Sequence, residues 1–170
     1  MDFRRYITDV PDFPSAGILF RDVTPLLAAP DVFAAAVRAM AEPFRANPPS
    51  KILGIEARGF LFGSALAREL HVGIVPARKP GKLPRKTESI AYGLEYGKDS
   101  LEVHADAFAP GERVLVVDDL LATGGTARAA ADLAERLGAE VVGVSVFIEL
   151  AALGGRARLG ERTAHAVVVL

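Results

Sequence analysis

The chain has 170 residues, 51% hydrophobic and 24% charged, with a formal net charge of −1; it is long enough for one core without staples, and its near-neutral charge argues against a general nucleic-acid binder. With no cysteine there is no disulfide, thiol nucleophile or thiolate metal site. No apolar run nears the roughly 20 residues that cross a bilayer, and Met1–Tyr6 has no apolar signal stretch, so a cytoplasmic protein without a membrane partner is expected.

In chain order, residues 2–8 are expected to form a short leading helix, with Pro11 and Pro14 punctuating the segment after it. Gly17 to Val23 reads as a short extended segment. Asp31 is placed to cap a helix over about 32–45, where Val32, Ala35, Ala36, Ala39 and Met40 keep helical register. Ile52 to Ile55 reads as a strand, 59–70 as a helix and 72–77 as another strand. A basic loop from Arg78 to Thr87 precedes two short strands near 89–96 and 100–104, which turn at Gly97, Lys98 and Asp99.

Val114–Val117 is apolar and mostly β-branched, the pattern of a strand buried on both faces of a parallel sheet. Beyond Thr126, Ala127, Ala130, Ala131, Ala134 and Leu137 keep one apolar helix face while Arg128, Asp132, Glu135 and Arg136 keep the other wet, and Gly138 stops the helix. A strand over 140–148, a short helix near 150–159 and a strand over 164–169 close the chain. Strands alternating with helices predict one α/β domain over 1–170, a central mainly parallel sheet flanked by helices. Ligands of such sheets bind at the carboxyl ends of the strands.

Asp118 and Asp119 follow the apolar run where that strand is expected to end, and Ala122-Thr123-Gly124-Gly125-Thr126 leads into the helix. Free N–H groups at a helix N-terminus, presented by glycines that let a ligand reach the backbone, form an anion site. Thr123 and Thr126 add hydroxyl donors. The two carboxylates would repel a phosphate; they suit sugar hydroxyls, or a magnesium ion shared with them. Phosphate at the loop and a diol at the acid pair add up to a ribose 5-phosphate. Singly, an Asp pair is often a turn device and Gly-Gly an ordinary turn; their order after an apolar strand favours a site. No Gly-Lys-Ser/Thr follows the glycines, which excludes a Walker loop, and the spacing is not the dinucleotide fingerprint.

Gly54-Ile55-Glu56-Ala57-Arg58-Gly59-Phe60 repeats the order strand, tight loop, helix. Its N–H groups with Arg58 suit a second anion; the alternative is Glu56 as a cap and Arg58 on the surface. Arg78, Lys79, Lys82, Arg85 and Lys86 crowd one short loop with Pro80 and Pro84, which reads as a solvated loop or as a lid over an anion. His71, His104 and His165 show no ligand spacing and read as structural or surface residues.

Residues 114–126 closely resemble the phosphoribosyl-pyrophosphate (PRPP) motif of the type I phosphoribosyltransferases. Asp12–Leu26, Glu56–Gly63, Arg78–Pro84 and Tyr92–Gly97 are similar to segments of the adenine branch of that family, so the likeness runs from about 12 to 150. It implies the family's fold, with a small N-terminal hood over about 1–30 and a flexible catalytic lid over about 78–97. It also implies transfer of the 5-phosphoribosyl group from PRPP to adenine in purine salvage, giving AMP and pyrophosphate. Mg²⁺ would be bound to PRPP, and the chain would form a homodimer with Arg58 or the lid near the partner subunit.

By the same match Phe20 stacks on the purine, Leu19 packs nearby, and the backbone of Arg21 hydrogen-bonds the adenine edge. A C=O and N–H pair reads adenine's amino donor and ring acceptor, a pattern that oxopurines reverse. Glu56, Ala57 and Arg58 fall in the pyrophosphate loop, with a cis peptide at Glu56-Ala57. Arg78, Lys79 and Lys82 face pyrophosphate from the lid; Arg78 is the first choice and Lys82 the next, because Pro80 and Lys86 vary the basic pattern. Glu95 is the candidate acceptor of the N9 proton, Arg58 the second catalytic candidate, and Tyr96 a substrate contact. Asp118 and Asp119 hold the ribose hydroxyls and, indirectly, the metal shell, while Ala122, Thr123, Gly124, Gly125 and Thr126 bind the 5-phosphate. The rivals are a PRPP-sensing regulator of RNA or DNA and a transferase for another base, such as xanthine or orotate. Lack of room for a further domain before Asp12 and the near-neutral charge argue against the first, and the segment around Phe20 against the second.

Overall fold

The computed structural model describes residues 1–93 and 98–170. After a 3₁₀ turn at Phe3–Tyr6, β1 (Thr8–Pro11) and β2 (Leu19–Asp22) pair antiparallel, Thr8 opposite Asp22 and Pro11 opposite Leu19. The leading helix expected over 2–8 is only that turn. Asp2 caps it by accepting the Arg4 N–H at 3.1 Å, and strand pairing claims the chain from Thr8 onward.

Then come α1 (Thr24–Leu27) and α2 (Pro30–Ala41), the latter extended by a 3₁₀ turn at Glu42–Phe44. Asp31 does not cap α2. Ala29 is the N-cap and Pro30 the first helical residue, where a missing N–H costs nothing; Asp31 lies in the first turn, where the helix dipole favours it.

The remaining elements are β3 (Lys51–Ile55), α3 (Arg58–Leu70), β4 (Gly73–Ala77), β5 (Thr87–Gly93), β6 (Lys98–His104), β7 (Arg113–Leu121), α4 (Gly125–Arg136), β8 (Glu140–Glu149), α5 (Gly155–Arg158) and β9 (Ala164–Val169). Five of these strands form a parallel sheet in the order β4-β3-β7-β8-β9. The hairpin β5–β6 stands apart, joined to the end of β4 by reciprocal backbone hydrogen bonds between Arg78 and Glu102 at 2.9 and 2.8 Å.

β7 is buried on both faces, as its apolar run requires. Val114 and Val116 enter the core under α4, and Leu115 and Val117 enter the core under α2 and α3. The strand does not stop at the acid pair. It runs on to Leu121 because β8 continues alongside, Asp118 opposite Val146 and Leu121 opposite Glu149. The helix expected near 150–159 is likewise divided, into a 3₁₀ turn at Ala151–Leu153 and the single turn α5, with Gly154 between them at φ +63°.

Strand order reverses between β3 and β7: the chain builds outward through β4 on one side and through β8 and β9 on the other. A crevice therefore opens beyond the carboxyl ends of β3 and β7. Behind it, Phe62 of α3 stacks on Phe147 of β8 at 5.5 Å between centroids and meets Phe33 of α2 edge-on at 5.6 Å. Phe62 is fully buried. Phe62→Ala is expected to cost about 3–5 kcal/mol by urea unfolding; a loss under about 1 kcal/mol would show that this aromatic stack is not the anchor of α3.

Candidate active site

Two loops meet at the crevice. From β3, Glu56 and Ala57 lead directly into α3, whose first residue is Arg58, and the Glu56-Ala57 peptide is cis, as the resemblance implied. From β7, Ala122 to Gly124 form the second loop; Gly124 takes φ +80° and Gly125 begins α4. Among the described residues no side chain caps that helix, so its first N–H groups keep their hydrogen-bonding capacity for an anion. A cavity of about 190 Å³ opens there between Arg58, Asp118 and the Thr123–Thr126 backbone. A neighbouring cavity of about 390 Å³ shares Arg58, the acid pair and Thr126, and reaches Glu56, Ala57 and Lys79.

Arg58 joins the parts. Its Nε donates to Asp119 Oδ2 at 2.5 Å, and its guanidinium lies 4.8 Å from the ring centroid of Phe20 on β2. Phe13 braces Phe20 edge-on at 5.1 Å. Leu19 is exposed beside it, and the Arg21 guanidinium is held by Asp9 across the β1–β2 hairpin. Gly59 is glycine for space: a Cβ there would lie 2.8 Å from Asp118 Oδ1 and 2.9 Å from the Val117 carbonyl oxygen.

The acid pair is asymmetric. Asp119 is buried and neutralised by Arg58, and its own N–H donates to Asp118 Oδ1 at 2.9 Å. Desolvation, then the neighbouring Asp119 charge, push the Asp118 carboxyl well above the usual carboxylate range.

Glu56 is the opposite case. It accepts from Arg78 Nε and Nη2 at 3.3 and 3.1 Å, from Lys82 Nζ at 2.6 Å and from the Lys79 N–H at 2.9 Å. Burial alone would raise its pKa, but hydrogen bonds from Arg78, Lys82 and the Lys79 backbone hold it down to about 2. A depressed carboxylate contributes stability in full above its ordinary pKa of 4.5, and here that contribution drains away as pH falls from 4.5 to about 2.

The structure thus brings Phe20, Glu56, Ala57, Arg58, Lys79, Asp118, Asp119, Ala122, Thr123, Gly124, Gly125 and Thr126 around one crevice. Arg78 and Lys82 stand at its edge, gathered on Glu56. Glu95 and Tyr96 lie outside the described residues. Two residues not named as site candidates join the set, Tyr92 from a segment that resembles the family and Asp99 with no sequence signal: Asp99 holds Lys79 Nζ, and the Tyr92 hydroxyl donates to Asp99 at 3.2 Å. Asp99 reads in sequence as a turn residue, and only the β5–β6 pairing turns it toward the crevice. Among the described residues no helix is long and apolar enough to cross a membrane.

At neutral pH the raised Asp118 carboxyl costs the fold stability, because a group with raised pKa stabilises below its ordinary value and loses that as pH rises through the folded one. Asp118→Asn is therefore expected to raise the melting temperature at pH ~8, with the gain shrinking toward pH ~4. A lower melting temperature at pH ~8 would contradict this account of the pair.

The phosphoribosyl transferase domain family model matches residues 22–170. An adenine phosphoribosyltransferase of Symbiobacterium thermophilum is 60% identical over 159 residues, 94% of each chain. The crystal structure of adenine phosphoribosyltransferase from Thermoanaerobacter pseudethanolicus superposes with a TM-score of 0.97 at 46% identity, covering 99% of this chain and 98% of that one. An APRTase from Giardia lamblia, complexed with 9-deazaadenine, gives 0.94 at 35% identity over 99% and 96% of the two chains. This chain belongs to the phosphoribosyl transferase family, within its adenine phosphoribosyltransferase branch.

Proposed function

We propose that the chain transfers the 5-phosphoribosyl group of PRPP to N9 of adenine, giving AMP and pyrophosphate in purine salvage. The observation that carries this reading is the position of Arg58, bonded to Asp119 at 2.5 Å and lying 4.8 Å from the Phe20 ring. It sets a ring for the purine, a cation for pyrophosphate and an acid pair for the ribose around one crevice. The 9-deazaadenine in the Giardia lamblia relative supports adenine as the acceptor.

In this reading the Ala122–Thr126 loop binds the 5-phosphate through backbone N–H groups and the Thr123 and Thr126 hydroxyls. Asp118 and Asp119 accept from the ribose 2- and 3-hydroxyls. Phe20 stacks on adenine with Leu19 beside it, and the Arg21 backbone reads the purine edge. Pyrophosphate lies against Ala57 and Arg58, with Arg78, Lys79 and Lys82 as further cations. Each of these side-chain cations is already held by Asp119, Glu56 or Asp99, so pyrophosphate competes with fixed carboxylates instead of drawing cations from water.

As the C1–O bond breaks, its electron pair leaves with pyrophosphate and the N9 lone pair forms the new bond to C1. The N9 proton passes to Glu95. Most of the acceleration comes from positioning and charge stabilisation, with residues 78–97 closing to keep water from the electron-poor C1. Residues 1–30 act as the hood over the purine.

Mg²⁺ belongs to the same reading. Among the described residues no group of three or more His, Cys, Asp or Glu side chains is arranged to hold a metal, and Asp119 is already paired. Two carboxylates fall short of the six oxygens magnesium requires. The donor set therefore fits a cation held mainly by PRPP oxygens and water, with Asp118 and Asp119 orienting that shell. Bound there, Mg²⁺ would supply charge neutralisation on pyrophosphate. A homodimer is also part of this reading; the exposed apolar side chains Leu61 on α3 and Ile74 on the edge strand β4 support a covered face.

With PRPP, Mg²⁺ and each of adenine, hypoxanthine, guanine, xanthine and orotate, the protein is expected to turn over adenine at least about 100-fold faster than any other base. Tight PRPP binding with no turnover would favour a PRPP-sensing regulator instead. Glu95→Gln is expected to lower kcat about 10²-fold with the KM for PRPP within about twofold; an unchanged kcat would remove Glu95 from the proton path.

A further inference from the structure

We infer that Gly155, anchored through Arg156 and outside both substrate loops, is the rear support of the 5-phosphate loop and so a positioning residue for PRPP. The inference rests on reading Ala122–Thr126 as the 5-phosphate loop.

The two segments pack backbone on backbone. A Cβ built on Gly155 would fall inside contact distance of the Ala122 carbonyl oxygen and lie 3.0 Å from the Gly124 nitrogen. A Cβ on Gly124 would collide in return with the Gly155 carbonyl group. Gly155 begins α5 outside the left-handed region, so space alone calls for glycine there. Gly154 is the reverse: its φ of +63° favours glycine, yet among the described residues a Cβ on it would meet nothing within 4 Å.

The turn is itself anchored. Arg156 Nε and Nη2 donate to Glu149 at 3.0 and 2.5 Å, and Glu149 is a buried carboxylate at the end of β8. Arg156 also donates to the Ala164 carbonyl oxygen on β9. Leu150 N–H donates to Leu121 O at 2.9 Å, which ties the approach to the turn to the end of β7, and Leu159 just beyond it is buried. The sheet ends thus hold Gly155, and Gly155 sets how far back the Ala122–Gly124 backbone can sit. An N–H cradle works only when its donors are fixed where the phosphate oxygens lie, and a misplacement near 1 Å is costly.

Gly155→Ala is expected to raise the KM for PRPP about tenfold while the KM for adenine stays within about twofold. Gly154→Ala, which strains the turn but inserts nothing between the segments, is expected to lower the melting temperature with the KM for PRPP within about twofold. Thr126→Ala tests the underlying reading. If it leaves the KM for PRPP unchanged, the loop is not the phosphate site; if it raises that KM and Gly155→Ala does not, the support is overturned and the phosphate site stands. A parallel rise of both KM values in Gly155→Ala also overturns it. Should Gly155→Ala fail to fold, Arg156→Lys loosens the anchor without adding an atom. It is then expected to give the same split at about threefold, and an equal effect on both substrates overturns the inference.

Discussion

The ion pair between Arg58 and Asp119 is the contact on which the crevice depends. Asp119 is buried, and a buried carboxylate without a partner costs several kcal/mol. Arg58 supplies that partner from the first turn of α3, so the loop after β3 and the end of β7 are fixed relative to each other. The approach is close enough that Gly59, the next residue, has no room for a side chain against Asp118. The same guanidinium lies against Phe20, which carries the constraint to the β1–β2 hairpin. The Phe20 ring, the acid pair and the loop after β3 are thereby set by one side chain.

Charge is handled in pairs throughout the site. Arg78, Lys82 and the Lys79 N–H share Glu56, Lys79 Nζ takes Asp99, and Arg58 takes Asp119. Such fixed pairs keep four neighbouring cations from repelling one another and hold their donors in place, which is the preorganisation that stabilises developing charge. The two most perturbed carboxyls here show how environment divides like groups. Glu56 faces several donors and is held near 2, whereas Asp118 is desolvated beside another acid and is pushed up.

The local grammar of the chain was legible where periodicity or backbone chemistry is strong. The apolar run at Val114–Val117, the α4 face from Ala127 onward and the strand over 164–169 all follow from side-chain pattern. It failed where pairing partners decide. A helix over 2–8 yields to strand pairing from Thr8, β7 passes through Asp118 and Asp119 because β8 runs beside it, and α2 begins at Pro30 instead of after Asp31. The helix near 150–159 breaks at Gly154.

By itself the sequence determined the α/β class, the two strand-loop-helix units that carry Glu56–Gly59 and Asp118–Thr126, and the family they resemble, because these are local matters of burial pattern, turn chemistry and spacing. Only the tertiary structure decided which charges meet. That Arg58 reaches Asp119 and Phe20, that Arg78 and Lys82 converge on Glu56, and that Gly155 backs the loop at Gly124 depend on strand ends of the parallel sheet lying side by side with the β1–β2 hairpin packed over them. Contact across such separations follows from strand order, which no single segment encodes.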